Sequence, residues 1–255
     1  MIPAIVIGRE GSKGFPGKNL HPINDFPLFC YPLAAAISSM IVDKVYLSTD
    51  SDDMKRFAKH YFPVSSHKSV LNLIDRSIDL ATDEAMAEDV FVHAFNYIKQ
   101  HNPNENIDFV VLMFANAPCI CGKMIDDMIF KIQNPVEYLA MVVDSIATVS
   151  KYNMFSPYRM RLMANIEEHL VINFLDDNNS SCDRNDKGDF YIYDCSCAVV
   201  KARVFDNIKD YPCPQKWLGG HIMPYKQQIP ALDVDYPWQL GQVEYWWKHY
   251  DSKIS

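Results

Sequence analysis

The chain of 255 residues has no apolar run approaching the roughly 20 residues needed to span a bilayer, so no membrane partner is expected. The first apolar stretch, Ile2 to Ile7, has no basic region before it and is too short for a signal peptide. A cytoplasmic protein is therefore expected. C-x-x-C pairs are also missing. The seven cysteines include only two C-x-C pairs, Cys119/Cys121 and Cys195/Cys197, a poor spacing for zinc. Reduced, mostly buried thiols are the better expectation. Basic residues are outnumbered, 24 against 32 acidic, for a net charge of −8. That balance argues against nucleic acid as a partner.

Glycine is scarce too, with nine in the whole chain, yet four fall between Gly8 and Gly17. The stretch Gly8-Arg9-Glu10-Gly11-Ser12-Lys13-Gly14-Phe15-Pro16-Gly17-Lys18-Asn19 follows an apolar run that reads as a buried strand. Such a loop can wrap a polyphosphate. Glycines such as Gly8 and Gly11 let backbone N–H groups approach oxygen, and Arg9 and Lys18 neutralise charge. Two common phosphate motifs fail. A P-loop needs glycine where Ser12 stands, and Ser or Thr where Asn19 stands. The dinucleotide pattern G-x-G-x-x-G fails at Glu10 and at Lys13, which disfavours an NAD enzyme. A solvated glycine-rich surface turn is the plainer alternative.

Strand-like and helix-like segments alternate through the first half. Strands are expected at 2–8, 43–48, 109–114 and 139–144. Helices are expected at 29–40, 52–60, 83–99 and 123–132. Thr49-Asp50-Ser51 is a helix-start signal. This order implies βαβ units, a mostly parallel sheet and a Rossmann-like α/β fold, with ligands at the C-terminal strand ends. The chain reads as a single domain over 1–255. Residues 148–193 break the rhythm with an excursion, polar from Asp176 to Asp189, that covers the site or meets a second subunit.

Near the far end, Asp233-Val234-Asp235 follows Ala231-Leu232 and reads as a strand with both carboxylates on one face. Two hard oxygen donors suit Mg²⁺. The alternative is a strand end that caps the helix starting near Pro237. Beside a polyphosphate-type loop, the metal reading is preferred.

These motifs resemble the acylneuraminate cytidylyltransferases, the CMP-sialic acid synthetases. Arg9, Gly11-Ser12-Lys13-Gly14, Pro16 and Lys18-Asn19 match the family's first signature in register. Leu47-Ser48-Thr49-Asp50, the segment Arg76 to Asp83, and Asp233-Val234-Asp235 with Glu244 resemble later ones. The resemblance implies a Mg²⁺-dependent transfer of CMP from CTP to an acidic 2-keto sugar, in a homodimer. It implies nucleotide contacts from Arg9, Ser12, Lys18, Asn19 and Arg76, catalytic roles for Arg9, Lys18 and Asp235, and metal binding by Asp233 and Asp235. The acceptor side departs from the pattern. Phe114-Ala115-Asn116-Ala117-Pro118-Cys119-Ile120 replaces Gln-Pro-Thr-Ser-Pro-Leu-Arg, and Asp194-Cys195-Ser196-Cys197-Ala198 replaces Asn-Gly-Ala-Ile-Tyr. Phe114, Asn116 and Arg184 are the acceptor-side candidates. The departures leave open another acid (legionaminic- or pseudaminic-type, or a phosphonate) or a catalytically silent nucleotide-binding homologue.

Overall fold

A computed structural model of the chain describes residues 1–63, 70–82, 84–136, 143–165, 170–175, 188–211 and 214–250. In chain order the elements are β1 (Pro3–Ile7), β2 (Pro22–Ile23), β3 (Phe26–Pro27), α1 (Cys30–Ser38), β4 (Lys44–Thr49), α2 (Asp52–Tyr61) and β5 (Val70–Asp75). Then come α3 (Ala87–His101), β6 (Phe109–Phe114), α4 (Gly122–Gln133), β7 (Ser145–Lys151), β8 (Arg161–Asn165) and β9 (Leu170–Asn173). The last are β10 (Tyr191–Lys201), α5 (Arg203–Asp206), β11 (Ile222–Lys226) and α6 (Leu240–Tyr250).

Seven strands form the central sheet in the order β11-β7-β10-β6-β1-β4-β5. Within it β10 runs antiparallel to both β6 and β7, and every other pairing is parallel. The apolar runs of β1 and β6 are buried on both faces, which is why they read as continuous hydrophobic stretches. Ala4, Val6, Val111 and Met113 face one helical layer with α1, α4 and α6. Ile5, Ile7, Val110 and Leu112 face the other, where Phe91, Ala94 and Phe95 of α3 pack. Residues two apart share a face and neighbours oppose, as the strand pleat requires.

From β1 the chain moves outward through β4 to β5, then crosses back to place β6 on the other side of β1. The order therefore reverses at β1, and the crevice beyond its C-terminal end is the preferred ligand position in such sheets. Ile7 lies opposite Phe114 and Ser48 in the register, so the loops after β1, β4 and β6 emerge side by side. The N-terminus of α2 is capped as the sequence suggests, with Ser51 Oγ accepting from the Met54 N–H at 3.4 Å.

Several expectations shift. β7 starts at Ser145 rather than within 139–144, of which residues 139–142 lie outside the described residues. The excursion is accordingly shorter than 148–193, because β7 runs through Lys151 and β10 begins at Tyr191. It holds two short 3₁₀ turns and the β8–β9 hairpin. The polar tract 176–187 lies outside the described residues. Asp233–Asp235 is not a strand. It has no regular secondary structure, and its backbone bond to the turn after β6 runs from Val234 N–H to Asn116 O at 2.8 Å.

Candidate active site

Gly8, Arg9, Gly11, Ser12, Lys18, Asn19, Arg76, Phe114 and Asn116 all line one cavity of about 230 Å³. It sits at the reversal point of the sheet, between the glycine loop and the N-terminal end of α3. The loop is shaped by its glycines. Gly17 has φ +72°, and it precedes the 3₁₀ turn that carries Lys18 and Asn19. A Cβ on Gly14 would lie 2.8 Å from the backbone oxygen of Asp235, so only glycine lets loop and aspartate segment meet.

Neighbouring segments hold the loop from both sides. Asp50 Oδ1 accepts from the Glu10 N–H at 3.1 Å. Asn19 Nδ2 donates to Arg9 O at 2.8 Å, and Arg9 Nη1 donates to Thr82 O at 2.9 Å. Arg76 is anchored by Nη2 donating to Ser48 O at 2.7 Å. Burial is the main cause that lowers its pKa, to about 10, so it remains a cation at neutral pH. Asn19 Oδ1 and Arg76 Nε are buried with no hydrogen-bond partner among the described residues. Both residues line the cavity, and such orphaned polar atoms are costly unless a ligand answers them.

The aspartate segment meets the same cavity wall. Lys18 Nζ donates to Asp235 Oδ1 at 2.6 Å. The two N–H groups of Asn116 Nδ2 are shared among Asp233 Oδ2, Val234 O and Asp235 Oδ1, at 3.3, 3.1 and 3.4 Å. Gln239 braces the segment from behind. Its Oε1 accepts from the Asp235 and Tyr236 N–H groups at 2.7 Å each, and its Nε2 donates to Asp233 O at 3.0 Å. Burial, and next the Asp235 charge, push the Asp233 carboxyl up to about 6, while Lys18 and Asn116 pull the other way.

This donor set fits a divalent cation. Two converging carboxylates resist a second negative charge, and the site already draws the Lys18 ammonium to one of them. Among the described residues, no group of three or more His, Cys, Asp or Glu side chains is arranged to hold a metal. A metal here would take its other ligands from phosphate and water, as Mg²⁺ commonly does. The five described cysteines are free thiols, and burial raises Cys119 and Cys197 far from thiolate character.

Phe114, one of the acceptor-side candidates, packs edge-on against Phe91 and Trp217, at ring-centre distances of 5.4 and 6.0 Å. Arg184 lies outside the described residues. Cys195, standing where the resembled family has glycine, adopts φ +60° at a bulge of β10, a conformation costly for a non-glycine residue. Two features escaped the sequence. The capping role of Gln239 was visible as a glutamine two residues after Pro237, the third position of a helix start. Asp194, where the resembled family has asparagine, is the second. It is fully buried and accepts from Thr148 Oγ1, Ser150 Oγ and the Ser196 N–H at 2.6, 2.7 and 3.1 Å.

A sheet whose order reverses beside a glycine-rich loop, facing an aspartate pair, defines the chain as a nucleotidyltransferase-type α/β protein. A solved CMP:2-keto-3-deoxy-manno-octonic acid synthetase complexed with CTP shares this fold with a TM-score of 0.65, at 12% identity, over 98% of this chain and 99% of that one. Residues 3–164 match the family model described as cytidylyltransferase, and the chain belongs to that family. It is similar to an N-acylneuraminate cytidylyltransferase of Oncorhynchus mykiss, 30% identical over 119 residues, 47% of this chain and 24% of that protein. It is also similar to the enzyme of that name from Escherichia coli O18:K1:H7 (strain RS218 / NMEC), 34% identical over 95 residues, 37% of this chain and 21% of that protein. The matched stretch thus spans about a quarter of these relatives. The resemblance read from the motifs is borne out.

Proposed function

We propose that the chain is a Mg²⁺-dependent cytidylyltransferase that transfers CMP from CTP to the hydroxyl of an acidic 2-keto sugar and releases pyrophosphate. The observation that carries this reading is the meeting of the glycine loop and the aspartate pair on one cavity wall, with Lys18 Nζ 2.6 Å from Asp235 Oδ1. The loop binds triphosphate through backbone N–H groups and the Arg9 and Lys18 cations. Arg76, held rigidly by Ser48 O, adds a buried positive charge.

The acceptor hydroxyl oxygen bonds to the α-phosphorus, and the bond from that phosphorus to the bridging oxygen of the pyrophosphate breaks. Pyrophosphate leaves with that electron pair, and the hydroxyl proton passes to solvent. Arg9 and Lys18 offset the charge that grows on the leaving group. Asp233 and Asp235 would hold Mg²⁺, whose chemistry there is to polarise the α-phosphate. Positioning and charge neutralisation are the main demands of such a transfer.

Phe114 lines the cavity, backed by the buried Phe91 and Trp217, and this apolar surface favours an acceptor that carries an apolar group, such as the legionaminic- or pseudaminic-type sugars. The excursion supports a homodimer. Met154, Phe155, Leu162, Ile172 and Phe174 are all exposed there, an apolar display that a second copy would cover. Among the described residues no helix is long and apolar enough to cross a membrane.

Nucleotide selectivity tests the reading. The melting temperature with Mg²⁺ and each of CTP, UTP, ATP and GTP is expected to rise most with CTP. Equal response to all four, or to none, would overturn it.

A further inference from the structure

We infer that Asn116 is a positioning residue whose amide holds the Asp233 and Asp235 carboxylates converged, so that a divalent cation and nucleotide bind together. The inference rests on the metal reading proposed above. The relevant geometry is local and rigid. Asn116 lies in the turn directly after β6, where Ala115 N–H donates to Ile7 O at 2.9 Å and Ala117 N–H donates to Phe114 O at 3.1 Å. Its backbone is therefore fixed to the sheet. From there Asn116 O accepts the Val234 N–H, and Asn116 Nδ2 faces three oxygens of residues 233–235.

The chemistry of the segment requires such a clip. Residues 231–235 lie outside any strand ladder, so no regular hydrogen bonding fixes the side chains of the pair. Two carboxylates on neighbouring positions repel and would otherwise turn apart. Gln239 secures only the backbone of Asp233 and Asp235. Lys18 also bonds Asp235 Oδ1, but its ammonium offsets part of the charge that would attract a metal ion. The Asn116 amide is neutral, so it satisfies an oxygen of each carboxylate without reducing the pair's charge. It is also the shared donor that can remain when Lys18 turns to phosphate. A group of this kind orients metal ligands, and its loss typically costs 10–100-fold in metal affinity.

The test measures CTP affinity by calorimetry, with EDTA and with saturating Mg²⁺, for the parent and for Asn116→Ala. No acceptor is present, so an acceptor contact by Asn116 cannot contribute. The affinity of each protein in EDTA serves as its own baseline. The tightening caused by Mg²⁺ is expected to be smaller in Asn116→Ala by about 10-fold or more. An undiminished Mg²⁺ effect overturns the positioning role and leaves the metal reading intact. A parent that binds CTP with no Mg²⁺ effect overturns both, and a parent that binds no CTP overturns the proposed function itself. Should Asn116→Ala fold poorly, Asn116→Ser, whose hydroxyl is too short to span both carboxylates, decides by the same comparison.

Discussion

At the scale of single residues, the site depends on a few charges whose partners lie far away in sequence. Lys18 and Asp235 are 217 positions apart, yet they form an ion pair at the cavity rim. Asp235→Asn keeps the side chain's shape and removes its charge. It is expected to lower turnover by ~10²-fold or more in a steady-state assay, comparable to loss of one transition-state stabiliser. An unchanged rate would remove Asp235 from the metal site. The residue types at the glycine loop were legible because their chemistry is local: Gly8, Arg9, Gly11, Ser12, Lys18 and Asn19 stand within a dozen positions and all reach one cavity. Asn116 was picked out as an acceptor contact, but its hydrogen bonds to residues 233–235 were not legible. Nothing in a sequence shows that an amide after β6 will meet carboxylates more than a hundred residues on.

At the scale of elements, the elements with strong local patterns were readable and those stabilised by neighbours were not. The run Phe109–Phe114 announces a strand buried on both faces, and Asp52–Tyr61 announces a capped helix. By contrast β5 is an edge strand paired only to β4, and β11 carries Pro224, which is tolerated because β11 is an edge strand paired only to β7. Asp233–Asp235 has a strand's alternation but finds no ladder to join. Its convergence comes from Asn116 and Gln239 instead. Gln239→Ala removes the acceptor for two N–H groups at the start of the last helix. It is expected to cost about 1 kcal/mol, read as a lower urea midpoint with an unchanged slope.

The Asp194 network gives a pH signature at the same scale. Burial, partly offset by the bonds from Thr148, Ser150 and Ser196, raises the Asp194 carboxyl above its ordinary value of 3.8. The folded protein therefore holds this proton more tightly than the unfolded chain. Its favourable contribution is complete below the ordinary carboxylate value and declines as pH rises through the raised one. Urea titrations of the parent and Asp194→Asn are expected to differ in stability by an amount that falls, from the parent's side, as pH rises across that window. A difference independent of pH would contradict the raised value.

For the whole molecule, alternation of strands and helices was enough to imply a parallel sheet with its ligand site at the C-terminal strand ends. The antiparallel insertion of β10 between β6 and β7 was not legible, because the apolar stretch Cys197–Val200 of β10 reads alike in either direction. The excursion between β7 and β10 was legible as a break in rhythm, though its ends belong to the sheet. Its exposed apolar residues lead to an expectation for assembly. Leu162→Asp combined with Ile172→Asp should shift the sedimentation coefficient from dimer to monomer while the fold is retained, as read by circular dichroism. A parent that sediments as a monomer would contradict the dimer.

The central claim is cytidylyl transfer, and pyrophosphate release from CTP tests it most directly. With Mg²⁺ and a panel of 2-keto sugar acids, release is expected with at least one acceptor, to stop when acceptor is omitted, and to match the CMP-sugar formed. Release of pyrophosphate without acceptor, or none with any panel member while CTP is bound, would contradict it.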